Sequence, residues 1–202
     1  CSGLVGSEMC IRDSGYGGSN EYLYTYEGAK VGRQRGFLGF AKRTIQDAQK
    51  GLNTTVSFNQ TYPFVGKPLE RMVSRSDGQT VSRTQLAYQY HGVVNSTPVY
   101  PYLNTEITEN FDYTNGVLYS TKTITTDYDD FGNLTEKVLT SVDAGTAESY
   151  TDTVTNYYDH KISNIWRVKG LITKSVVTQS GSHGQSPAVT KDYEYDNGAP
   201  NK

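Results

Sequence analysis

Asp127, Asp129, Asp130 and Asn133 crowd one short stretch, TDYDDFGNLTEKVL (residues 126–139), with Gly132 among them. Three chemistries suit such a group: a calcium loop, a catalytic carboxylate pair, or a tight turn. A calcium-binding EF-hand needs oxygen ligands at loop positions 1, 3, 5 and 12 and a glycine at position 6. Counted from Asp127, Asp129 and Gly132 fit, but position 5 is Phe131 and position 12 is Val138, and neither offers a side-chain oxygen. A catalytic pair needs a cleft and a partner that drives two pKa values apart, and the sequence identifies neither. A turn needs less. Asp and Asn side chains bond to nearby backbone groups, and a glycine supplies the positive φ of a short hairpin loop. Tyr128 then ends an incoming strand and Leu134 starts an outgoing one.

Other reactive residue types fall into weaker patterns. His91, His160 and His183 are far apart, with no His or Cys at metal-ligand spacing. Ser182 and His183 are adjacent in SGSHGQSP (residues 180–187), which reads as a flexible loop; neighbours in a strand would face opposite ways, a poor nucleophile and base. Arg33, Arg35, Lys42 and Arg43 cluster around Phe37 and Phe40. The chain's formal charge of −2 makes a solvated sheet face a better reading of that cluster than a nucleic-acid surface. The readings so far therefore assign no catalytic residue, cofactor, metal or nucleic-acid partner.

The elements around these residues read as strands. Among 202 residues 17 are Tyr, and Thr is more frequent still; both suit a pleated, half-buried surface better than a helix. NEYLYTYEG sets Tyr22, Tyr24 and Tyr26 at period two. GRQRGFLGF holds Gly36 and Gly39 beside large apolar residues, a bend or bulge signal. AKRTIQDAQKG (residues 41–51) has only a weak helical stripe and reads as a strand followed by a turn. LNTTVSFNQTYPFVG alternates Val56, Phe58, Tyr62 and Phe64 on one face, with Pro63 marking its end. Asp77-Gly78 and Asn115-Gly116 are hairpin turns, and Leu86, Tyr88 and Tyr90 share a face. NLTEKVLTSV, ESYTDTVTNYY, KGLITKSVVTQ and PAVTKDYEYD complete the series. No run of 18 or more apolar residues suggests a membrane-crossing helix.

The first fourteen residues stand apart. CSGLVGSEMCIRDS holds both cysteines of the chain and resembles the translated sequencing-adapter peptide that heads many environmental-DNA reading frames. Residues 1–14 are expected to be disordered and outside the fold, and the two cysteines are not a disulfide framework.

The turn at Tyr128 also recurs. YDDFGN is echoed by YDNGAPN from Tyr195, and Tyr158-Asp159 is a degenerate copy between them. Tyr-Asp-x-x-Gly-Asn-x-Thr resembles the YD repeat of RHS (rearrangement-hotspot) proteins. The ordered set RGFLGF, YPFVGKP, YDDFGNLT, WRVKGLITKS and YEYDNG is similar to the region that opens the shell of Tc-toxin B components, over about Glu21 to Gly198. The resemblance implies an all-β fold of extended antiparallel hairpins in an RHS/YD-repeat shell, here incomplete. Such a shell encloses a C-terminal toxin, its repeats of roughly twenty residues stacking so that each covers its neighbour's edge.

By the same resemblance, Tyr128, Asp129, Gly132 and Asn133 form the repeat hairpin. Tyr195, Asp196 and Gly198 start the next, and Trp166 and Gly170 pack in the spacer. The roles are structural, since the family's self-cleaving aspartates lie downstream of this segment. Residues 15–112 are then a pre-repeat β region like the propeller-to-shell junction. Residues 113–202 are the YD-repeat region, truncated at its C-terminus. The expected function is a non-enzymatic segment of a toxin shell, secreted or on the cell surface. Its partners are the remaining repeats and toxin cargo of the full-length chain, with a translocation component beyond them, and no nucleic acid or membrane segment. The alternative is a surface β-repeat module that binds glycan.

Overall fold

Alternating side chains, interrupted by turns built on Asp, Asn and Gly, fold the chain into successive antiparallel strands. The computed structural model describes residues 9–15, 18–91, 99–159 and 170–194. The strands are β1 (Met9–Gly15), β2 (Gly18–Glu27), β3 (Val31–Gly32), β4 (Gly36–Phe37), β5 (Lys42–Asp47), β6 (Leu52–Phe58) and β7 (Pro68–Arg75). They continue as β8 (Thr80–His91), β9 (Tyr100–Phe111), β10 (Leu118–Tyr128), β11 (Leu134–Asp143), β12 (Ser149–Asp159), β13 (Leu171–Gly181) and β14 (Gly184–Asp192). The fold is all-β, and no helix occurs among the described residues, so none is long and apolar enough to cross a membrane.

Two compact units, Cys1–Lys122 and Thr123–Lys202, divide the chain inside β10. In the first, the sheet order is β1-β2-β5-β6-β7-β8-β9-β10, with β3 and β4 forming a small separate pair. Residues that face one another across these ladders share a side of the sheet. Thr25, Thr44 and Thr55 therefore make one row across β2, β5 and β6, with Thr44 and Thr55 hydroxyls 3.4 Å apart. In the row beside it, on the other face, stand Tyr26, Arg43, Val56 and Arg71. On the Thr-row face Arg83 pairs with Glu109 at 2.8 Å and approaches Glu70 at 3.9 Å. Only Val56, Tyr102 and Ser74 are buried among the described residues. Tyr102 stacks on His91 with ring centres 5.0 Å apart and donates its hydroxyl to Gln89 at 3.0 Å.

Successive ladders slip by one residue at bulges. Pairing passes over Leu69 in β7, Val81 in β8 and Asn104 in β9. Each such step bends its strand and raises the local twist. The tips of two hairpins also grip each other. Arg75 donates to the Tyr113 carbonyl at 2.8 Å and lies over its ring, 4.9 Å from the centre. Gln79 donates to the carbonyls of Asp112 at 3.1 Å and Tyr113 at 3.3 Å.

The second unit has the order β10-β11-β12-β13-β14. Thr140 faces Thr151, and Val154 faces Val177, which faces Val189. The β12–β13 ladder passes over Thr173, whose carbonyl instead accepts from the Tyr193 N–H at 2.9 Å.

Three sequence expectations change. Tyr62 and Phe64 do not continue β6, which ends at Phe58. Asn59 closes a separate loop there: its side chain accepts from Thr61 N–H at 2.8 Å, and its backbone pairs with Lys67 and Gly66. That local bonding competes with the ladder. Residues 180–187 are not an extended loop. Gly181 pairs with Gly184 across a two-residue turn, so β13 and β14 run almost to its tip. Residues 9–14 are not outside the fold; β1 pairs with β2 from Met9↔Tyr24 to Gly15↔Gly18. AKRTIQDAQKG does form a strand, β5, followed by a turn, and Asp77-Gly78 and Asn115-Gly116 close hairpins.

Because β1 covers one edge of β2, deleting residues 1–15 should lower the thermal midpoint measured by circular dichroism. An unchanged midpoint would show that β1 contributes nothing.

Candidate functional site

The turn at Tyr128 is built around one carboxylate. Asp129 Oδ1 accepts from the backbone N–H of Phe131 at 2.9 Å and of Asn133 at 2.8 Å. Its Oδ2 accepts from Asn133 Nδ2 at 2.9 Å. The backbone closes around this: Asp129 N–H donates to Asn133 O and Gly132 N–H to Asp129 O, both at 3.0 Å. Gly132 has φ 83°, the left-handed region that other residues enter at a cost of roughly 1 kcal/mol or more. The carboxylate is thus turned toward its own loop.

Distant residues hold this knot from the side. Gly170 has φ 109°, and a Cβ there would lie 2.2 Å from Asn133 Oδ1. The missing side chain leaves room for the Asn133 amide, which Asp129 fixes. Tyr158 hydroxyl and Asn156 Nδ2 both donate to Leu134 O, at 2.9 and 3.0 Å. The Tyr158 hydroxyl pKa is raised above its ordinary 10.0, first by burial and then by the Asp129 charge.

Of the motif residues singled out by sequence, the structure brings together Asp129, Gly132, Asn133 and Gly170, with Tyr128 ending β10 beside them. Trp166, Tyr195, Asp196 and Gly198 lie outside the described residues, as does His160. Tyr158 and Asn156 were missed as supports of the knot; the only signal was the Tyr158-Asp159 echo.

A second turn type was also missed. Asp47 and Asp143 end β5 and β11, Asp112 follows the last residue of β9, and each accepts from the N–H groups two and three residues on. Each is followed four residues later by a positive φ: Gly51 at 62°, Gly116 at 72° and Ala147 at 58°. The shared signal is Asp-x-x-x-Gly, with Ala in the last case. Hydrogen bonds hold two of these carboxyls below their ordinary 3.8. For Asp112 the Thr114 hydroxyl contributes most, then the N–H groups of Thr114 and Asn115. For Asp143 it is the Thr146 N–H, then that of Gly145, then the Thr146 hydroxyl.

The other reactive residues do not converge. Ser182 Oγ accepts from Ser149 N–H at 2.8 Å, while His183 is 89% exposed and 3.5 Å from Glu148. Arg43 lies over the Phe58 ring, 5.9 Å from its centre, and Lys42 pairs with Glu27 at 3.1 Å.

No family model and no curated protein matches the chain. Solved structures do. The chain is similar to a TcdB2-TccC3 crystal structure with a TM-score of 0.60 and 11% identity, over 80% of this chain and 12% of that one. A TcdB2-TccC3-Cdc42 crystal structure gives the same values. A Photorhabdus luminescens Tc holotoxin pore gives a TM-score of 0.59 and 12% identity, with the same coverage. The fold is therefore Tc-toxin-like, and the chain spans about an eighth of the length of those chains.

Two outcomes test the turns. Gly170→Ala should displace the Asn133 amide, so its cost should shrink when Asn133 is already Ala. A double-mutant cycle by urea unfolding should give a coupling on the order of 1 kcal/mol; additive effects would remove the Asn133–Gly170 link. Separately, a carboxyl with a depressed folded pKa contributes stability above its unfolded pKa and loses it as pH falls through the folded value. The thermal midpoint should therefore fall on acidification below pH 3.8, less steeply in the D112N/D143N double variant. Identical slopes would show that these turns do not couple to folding.

Proposed function

We propose that the chain is a wall segment of the β-shell of a secreted or surface RHS/Tc-type toxin protein, a shell that encloses a C-terminal toxin domain. The observation that carries the reading is a Tc-toxin-like sheet of extended hairpins with almost no buried side chains among the described residues. A self-contained enzyme or binding domain of this length covers at least one sheet face to form a core. Here Val56 and Tyr102 are the buried hydrophobic residues among those described. A wall gains its stability along the sheet and from the repeats beside it, and both of its faces stay available to solvent or cargo. Within that reading the YD hairpin fixes register, and the role is structural rather than enzymatic.

The glycan-binding alternative draws on exposed rings such as Tyr100, Tyr119 and Tyr157, each at least half exposed. Aromatic faces that stack on sugars would be lost on Tyr→Ala substitution. A glycan array that returned saturable, Tyr-dependent binding would favour it.

Electron cryomicroscopy of the full-length gene product tests the shell reading. The expected map places this segment in a single-layer wall around interior density. A map in which other elements of the protein pack a filled core against both sheet faces would overturn it.

A further inference from the structure

The small β3–β4 hairpin and the 59–67 loop of the first unit form an open groove that the turn network does not use. It has a volume of about 320 Å³ and is lined by Gly32, Arg33, Arg35, Leu38, Tyr62 and Val65, among others. The size lies at the lower end of the range for ligand pockets. The loops are held in place. Lys30 O accepts from Leu38 N–H at 2.8 Å and Lys30 N–H donates to Gly39 O at 3.1 Å. Gln60 then ties the loops together, donating to Gly28 O at 2.7 Å and Gly39 O at 2.9 Å.

Charge is unbalanced there. Residues 28–41 carry Lys30, Arg33 and Arg35, residues 59–67 carry Lys67, and neither stretch holds an Asp or Glu, although the chain as a whole is at −2. Lys67 is turned to the Tyr88 ring, 6.0 Å from its centre. Neither Arg33 nor Arg35 has a carboxylate partner among the described residues. The Arg35 guanidinium carbon lies over the Tyr62 ring, 3.6 Å from its centre. A guanidinium held over a ring keeps N–H donors able to bond a carboxylate in bidentate fashion. Leu38 and Val65 add apolar wall.

We propose that this groove is a docking site for an acidic peptide segment of another polypeptide, with a carboxylate taken by Arg33 and Arg35 and a neighbouring apolar side chain against Leu38 and Val65. Apolar walls beside the arginines favour a peptide over a nucleic-acid backbone, whose phosphates would leave Leu38 and Val65 without a partner. The proposal does not depend on the shell reading.

The test is a titration of the ¹⁵N-labelled 202-residue chain with acetyl-Leu-Glu-Phe-amide, followed by NMR. Saturable shifts are expected at Gly32, Arg33, Arg35 and Val65, including the Arg Nε–H signals. The peptide with Gln in place of Glu should bind about tenfold more weakly, as expected for loss of a charge-assisted bond; this comparison uses the unaltered protein. Arg33→Gln and Arg35→Gln should weaken binding similarly, while R71Q, at an exposed arginine on β7, should not. Absence of saturable shifts, or equal binding of the Gln peptide, overturns the proposal. So does the same set of shifts with inorganic phosphate or a thymidine hexanucleotide at lower concentration than the peptide needs.

Discussion

Backbone hydrogen bonding between neighbouring strands is the interaction on which everything else here depends. A sheet with a covered face draws most of its stability from apolar burial, roughly 25 cal/mol per Å². With so few buried side chains among the described residues, that source is thin there, and the ladders with their cross-strand pairs must hold the strands. Each pair contributes only about 0.2–1 kcal/mol. Length therefore matters, and β8, β9, β10, β12 and β13 are long for strands. Thr opposite Thr, as at Thr44–Thr55, Thr84–Thr108 and Thr140–Thr151, suits a face that must tolerate water and still associate.

Such a sheet has a particular weakness. A slip of one residue moves every side chain to the other face, and where neither face is buried little resists it. Register must be fixed at the turns. An Asp at the strand end that captures two N–H groups defines where the strand stops, and the positive φ after it defines where the next begins. The Asp129 turn adds a second lock: Asn133 is bonded within the loop and also fills the space left by Gly170, so the start of β13 is set by contact with the start of β11. This physical logic ties a short Tyr-Asp-x-x-Gly-Asn motif to a glycine far along the chain.

Much of the fold was legible because its signals are local. Period-two Tyr and Thr runs, Asp77-Gly78 and Asn115-Gly116 state strand and turn within a few residues. Tyr62 and Phe64 misled because they keep the alternation of β6, while the feature that ends the strand, Asn59 bonding Thr61, has no periodic signature. Ser182 and His183 sit in a loop-like composition, yet the pairing of Gly181 with Gly184 is a property of two strands together. Residues 9–15 look foreign by composition, but a ladder needs backbone groups more than any particular side chain. The Asn133–Gly170 contact and the support of Leu134 O by Tyr158 and Asn156 join distant segments, so no window of sequence displays them.

The grip between the 75–79 and 112–116 hairpin tips has a further consequence. In a meander where each strand touches only its neighbours, stability is a chain of nearest-neighbour terms, and one end can fray without the rest. Arg75 and Gln79, at the tip joining β7 to β8, bond the carbonyls of Asp112 and Tyr113 at the tip joining β9 to β10. The Gln79 bonds extend the β8–β9 pairing beyond the end of its ladder, while Arg75 reaches from the end of β7 past β8 to the Tyr113 carbonyl. That one bond ties β7 to the β9–β10 turn as well as to β8, so fraying of β7 at that end must break it in addition to the ladder.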